Sequence, residues 1–167
     1  MGAKHFARRE AAHKEMKALA FREPWATLIA TGVKTHEYRK SDVSVPIKDL
    51  VVCASSGGRS DPFSGLCYGK AIALVDVTRS IRTADGYTWV LENPRLIKPF
   101  DVPDSEGFFY VQDEVEALPN DRKTYEQVIM PYAEGGWFEE IELVMDACFG
   151  NREALRFAFW DDIEKWL

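Results

Sequence analysis

Short apolar runs punctuated by turn residues dominate the first two thirds of the chain, and helical spacing dominates the last third. Residues 18–21 (ALAF) read as a first strand. Arg22-Glu23-Pro24-Trp25 then opens a helix, because proline is favoured in a first turn where its missing N–H is not needed. Trp25, Leu28 and Ile29 follow at i, i+3 and i+4 as one apolar stripe. Gly32 is placed to end the helix in a left-handed C′ position. Residues 35–39 (THEYR) resume as a strand. Alternation there sets Thr35, Glu37 and Arg39 on one face and His36 and Tyr38 on the other. Further strands are expected over 50–54, 69–77, 87–92, 96–102 and 108–111, with Asn93-Pro94 ending the 87–92 strand. Residues 55–65 (SSGGRSDPFSG) are rich in turn formers and read as a loop. Five or six short strands with one early helix predict a small barrel rather than a βαβ sheet.

Beyond residue 115 the pattern changes. Residues 124–132, 137–148 and 152–166 read as helices, and Leu155, Phe159, Ile163 and Trp166 recur at helical spacing, widened by Phe157 and Trp160. The expected fold is α+β: an extension or expression remnant over 1–15, a barrel domain over 16–115 and a helical extension over 116–167 packed on it.

The 167 residues fit one domain, or one domain with an appendage. Net charge is −6, unevenly spread: residues 120–167 hold 11 of the 27 acidic residues and 5 of the 21 basic ones, which leaves 1–119 neutral. A strong non-specific binder of duplex DNA carries a basic excess, so a nucleic-acid ligand would have to enter a local cleft as a short strand or a single nucleoside. Three scattered cysteines and three histidines, with no C-x-x-C spacing, argue against a disulfide framework and a structural zinc site. We expect reduced thiols in a cytoplasmic protein with no cofactor and no metal. No apolar run reaches the roughly 18–20 residues that span a bilayer, so no membrane association is expected.

Arg22 to Arg39 resembles the signature of the ASCH family within the PUA-like superfamily: a PWA helix start followed by G-x-K-x-x-E-x-R, matched by Gly32, Lys34, Glu37 and Arg39. Ser64-Gly65 before the 69–77 strand is similar to the family's entry to its central strand. Glu92-Asn93-Pro94-Arg95 with Pro99 is similar to its late NP turn. The resemblance spans about 95 residues and names nothing after Val111. It implies a PUA-like β-barrel with a cleft beside the first helix and an activity that involves RNA. Some members bind nucleic acid or belong to transcription coactivators. Others look like small amidohydrolases that remove an acyl group from a modified cytidine through the motif lysine. Those members place threonine where Glu37 stands here and carry a later carboxylate, for which Asp76 and Glu92 are both candidates.

The residues allow several roles. Lys34 is either a solvated cation favoured by the helix C-terminus or a group that grips phosphate or acyl oxygen and, if desolvated, acts as nucleophile or base. Glu37 and Arg39 pair with each other, or Glu37 orients Lys34 or a base amide. Trp25 packs in the core or stacks on a base. Arg22, Glu23 and Ser55 line the cleft or lie on the surface. His36 is surface or packing, and Cys53 a buried small hydrophobe. Three functions follow: a module binding single-stranded RNA or a nucleotide at Arg22, Glu23, Trp25, Lys34, Glu37, Arg39 and Ser55; a hydrolase acting on an N4-acylated cytidine or on RNA with Lys34 and Glu37 catalytic; or an interaction protein that dimerises through its C-terminal helices.

Overall fold

The computed structural model describes residues 15–58, 65–112, 114–135, 139–154, 165 and 167. The expected features at residues 1–14, at Ser64, and at the aromatic stripe of Leu155, Phe157, Phe159, Trp160, Ile163 and Trp166 lie outside them. Seven strands form one mixed sheet: β1 (Met16–Arg22), β2 (His36–Arg39), β3 (Ile47–Ser55), β4 (Lys70–Arg82), β5 (Tyr87–Asp101), β6 (Phe109–Val111) and β7 (Ala117–Leu118). Their order is β2-β5-β4-β3-β1-β6, with β7 beside β5. β1 and β3 are parallel, and the other pairs are antiparallel. Between β1 and β2 lies α1 (Trp25–Ala30).

Among the described residues no ladder joins the outer strands, yet side chains bring the sheet round on itself. Arg39 on β2 donates to the Ala20 carbonyl on β1 (3.4 Å), and Trp89 on β5 stacks on Phe108 beside β6, with centroids 5.9 Å apart. The architecture is therefore barrel-like, as expected, but its seam is made of side chains. Alternation along β3 serves two apolar layers: Leu50, Val52 and Ala54 face one, Val51 and Cys53 the other. A strand buried on both faces reads as a continuous apolar run, which is the LVVCA pattern.

Two expectations need correction. Asn93-Pro94 does not end a strand, because β5 runs unbroken from Tyr87 to Asp101. The irregularity is absorbed locally. Asn93 takes φ +55°, which asparagine tolerates better than most residues, and its amide donates to Asp76 while the pairing slips by one residue nearby. The α1 stripe also faces two ways rather than one: Ile29 joins the main core, whereas Leu28 and Trp25 pack with Val33, Ala147 and Leu167.

After β7 the chain forms α2 (Arg122–Thr124), capped by the Asp121 carboxylate at the Thr124 N–H. It widens into a π turn at Tyr125–Ile129 and tightens at Met130–Tyr132. α3 (Glu139–Phe149) follows. Tyr125, Ile129, Val144 and Met145 are all buried in the main core. Arg122 ties the two helical segments by reaching Glu126, Glu142 and Asp146. Among the described residues, no helix is long and apolar enough to cross a membrane.

Candidate functional site

Gly32, at φ +86°, turns the chain from α1 toward β2, and a β-carbon there would press on Pro94 at 3.3 Å. This turn delivers Lys34 to the interior. Only 4% of Lys34 is exposed, so it is not a solvated cation past a helix end. Its ammonium lies 5.1 Å from the Trp25 ring centroid and 5.2 Å from that of Tyr38. Such placements over ring faces are attractive, and more so away from water. Burial lowers Lys34 to about 8, although Glu37 nearby favours the charged form.

Glu37 and Arg39 sit two apart on β2 and form an ion pair with Nε to Oε1 at 3.0 Å. Burial raises the Glu37 carboxyl above its ordinary value against the pull of Arg39 and Lys34. The Arg39 guanidinium lies over Phe21 and Trp89, 5.3 and 5.7 Å from their centroids. Glu37, Tyr38 and Arg39 join Ala20, Phe21, Arg22 and Trp25 around a concavity of about 330 Å³. Lys34 is one layer behind it, beneath Trp25 and Tyr38. It lines a neighbouring hollow of about 280 Å³ with Gly32, Thr35, Glu92, Asn93 and Pro94.

The expected site residues therefore divide. Arg22, Trp25, Glu37 and Arg39 meet at the cleft. Ser55 lines a separate concavity. Glu23 does not line the cleft; it is 3% exposed and turned inward. Its carboxylate accepts from the Thr27 N–H at 2.7 Å and the Thr27 hydroxyl at 2.6 Å, holding the first turn of α1. Three donors favour the ionised form, counting the Cys67 N–H, but burial outweighs them and raises Glu23 to about 7. Of the two candidate later carboxylates, Asp76 is occupied by Arg95, Asn93 and the Asp49 N–H, while Glu92 shares the smaller hollow with Lys34.

Tyr38 was expected on the face opposite Glu37, yet it rims the cleft with it. Among the described residues β5 is the one strand paired with β2, which forms the edge of a sheet that curls over β1. Strand alternation read without that curvature gave no sign of this. Asn120, also unforeseen, donates to the carbonyls of Ala30 and Pro94 and so holds α1 against β5. Burial pushes the thiols of Cys53, Cys67 and Cys148 up to about 12, which leaves them protonated and poor nucleophiles. Among the described residues, no group of three or more His, Cys, Asp or Glu side chains gathers to hold a metal ion.

A family model described as the ASCH domain matches residues 19–145. The match runs past Val111, where the resemblance read from the sequence stops, and into α3. No curated protein matches the chain. Among solved structures, it is similar to the crystal structure of a serine-to-alanine mutant of ZmASCH from Zymomonas mobilis. Identity is 10%, with 57% of this chain and 87% of that one covered at a TM-score of 0.42.

Proposed function

We propose, since the chain belongs to the ASCH domain family, that its cleft binds a base of single-stranded RNA or of a nucleotide. The observation that carries this reading is the pairing of Glu37 with Arg39 inside a concavity rimmed by Trp25 and Tyr38. Unpaired bases are held by stacking on aromatic rings and by hydrogen bonds to their edges. The two rings supply the stacking surface, and Glu37 and Arg39 supply an acceptor and donors. Lys34 braces both rings from behind. Labelled single-stranded RNA and free nucleosides titrated at low salt test the reading. Binding tighter than about millimolar is expected, weakened at least about tenfold in Glu37→Gln as an edge contact is lost. Absence of binding, or a Glu37→Gln variant that binds as well as the parent, removes it.

A second reading is favoured by one observation: burial lowers Lys34 to about 8. Near neutral pH a share of this amine is unprotonated and able to act as base or nucleophile. In an amidohydrolase acting on an N4-acylated cytidine, Lys34 would draw a proton from the attacking water. Glu37, its carboxyl raised by burial, would return one to the departing amine. Trp25 and Tyr38 would have to part for substrate to reach the amine. Incubation with N4-acetylcytidine decides it; no cytidine at micromolar enzyme excludes this chemistry.

A further inference from the structure

The cleft has a neighbour. A second concavity of about 230 Å³ is lined by Ala20, Cys53, Ser55, Ser56, Tyr68 and Asp104, among others, and Ala20 belongs to both hollows. The divide between them is the end of β1. Arg22 and Ser55 are register partners there, one lining each concavity.

The divide is an open strand edge. β6 pairs with Met16, Lys17 and Ala18, and among the described residues no strand continues along the outer side of Ala20 and Arg22. In the parallel β1–β3 ladder, Ser55 accepts from the Glu23 N–H. The odd-numbered residues of β1 therefore face β3, and the main-chain groups of Ala20 and Arg22 face outward. One of these groups is already used, the Ala20 carbonyl, by Arg39. The exposed Arg22 side chain lies across the Ser55–Gly57 turn, where a β-carbon on Gly57 would overlap it.

Charge sorts the possible occupants of this ridge. Glu37 and Arg39 offset each other, and Lys34 lies beneath the rings. Arg22 is the remaining cation lining either concavity, and it stands between them beside outward N–H groups. The ridge thus offers one positive charge and several donors to a single anion. The second concavity offers the ring of Tyr68, the hydroxyls of Ser55 and Ser56 and the carboxylate of Asp104, groups suited to a base and a ribose.

We propose that the two concavities hold two successive nucleosides of one RNA strand, with the linking phosphate over the β1 edge against Arg22. This rests on the nucleobase reading of the first cleft and narrows it from a lone nucleoside to an oligonucleotide. The test uses the full chain with the four ribonucleosides and the matching dinucleoside monophosphates. The best dinucleotide binds at least about tenfold tighter than the best nucleoside, the gain expected from one more stacked base. Its affinity falls with salt at a slope of about −0.7, that of a single phosphate on a single strand. Arg22→Gln, at an exposed position, flattens the salt dependence and lowers the dinucleotide toward the nucleoside. Ser56→Leu fills the second concavity, removes the gain and leaves nucleoside binding unchanged. Circular dichroism checks that both variants are folded. A dinucleotide that binds no tighter than a nucleoside, or a gain that survives Ser56→Leu, overturns the proposal and leaves the first-cleft reading standing. If no nucleoside and no dinucleotide binds, that reading falls with it.

Discussion

Replacing Glu23 by glutamine should stabilise the protein, increasingly so as pH rises from about 4.5 to about 7. Glu23 is buried against Thr27, the Cys67 N–H and Tyr125, and burial raises it from an ordinary 4.5 to about 7. The folded chain therefore holds this proton more tightly than the unfolded chain does. Its contribution to stability is full below pH 4.5, declines as pH rises and is lost once pH passes about 7. At one tenth of proton affinity per 1.36 kcal/mol, the loss amounts to about 3 kcal/mol. Glutamine has the shape of the neutral acid: its carbonyl keeps the Thr27 N–H, and its amide can donate to the Thr27 hydroxyl. Among the described residues, the titratable groups set beside it stay neutral over this range. The Cys67 and Cys148 thiols titrate only near 12, and the Tyr125 phenol is raised well above its ordinary value. Urea unfolding of parent and Glu23→Gln at pH 5, 6, 7 and 8 gives the difference directly, since all other titrations cancel. The two should agree within about 1 kcal/mol at pH 5, where most of the proton's contribution is retained and the swap keeps its hydrogen bonds. The variant should lead by about 2–3 kcal/mol at pH 8. A variant less stable than the parent at pH 8, or a difference that does not change with pH, refutes the claim that burial outweighs the three donors.

Three further outcomes follow from the packing. Ile129→Ala, at a fully buried position on the π turn, should cost about 2–5 kcal/mol in urea unfolding; a loss under about 1 kcal/mol would mean the C-terminal segment is not part of the core. Asn120→Ala removes the donor to the Ala30 and Pro94 carbonyls and should lower stability by about 1–2 kcal/mol, while an unchanged midpoint would show that water replaces it. In a sample with ¹³C-labelled lysine, the Lys34 Cε resonance should titrate with a midpoint near 8. A midpoint in the ordinary lysine range near 10.4 would remove the basis for amine chemistry at neutral pH.

Much of the barrel was legible because its signals are local. A continuous apolar run at 50–54 marks a strand covered on both sides, and a proline followed four residues before Gly32 by Leu28 brackets a short helix. The site was legible as a set of residues but not as a depth. Lys34, Glu37 and Arg39 are close in sequence, so their proximity in space was nearly assured; whether the lysine meets solvent depends on Trp25 and Tyr38 closing over it. Glu23 was misjudged for a related reason. A charged residue at a helix start is usually exposed, and its burial is set by Cys67 and Tyr125, which are distant in sequence. The length of β5 was hidden by Asn93 and Pro94, whose local preference for a turn is overridden by cross-strand bonds from Asp76. The π turn at Tyr125–Ile129 leaves almost no mark on an apolar pattern that an ordinary helix would share.

Arg39 completes the seam between the two ends of the sheet and also lines the cavity beside it. One guanidinium thus serves as both latch and lining. Whatever occupies that cavity touches the side chain that bridges the two ends of the sheet. A replacement at position 39 is therefore felt twice, once where the sheet is bridged and once in the wall of the hollow.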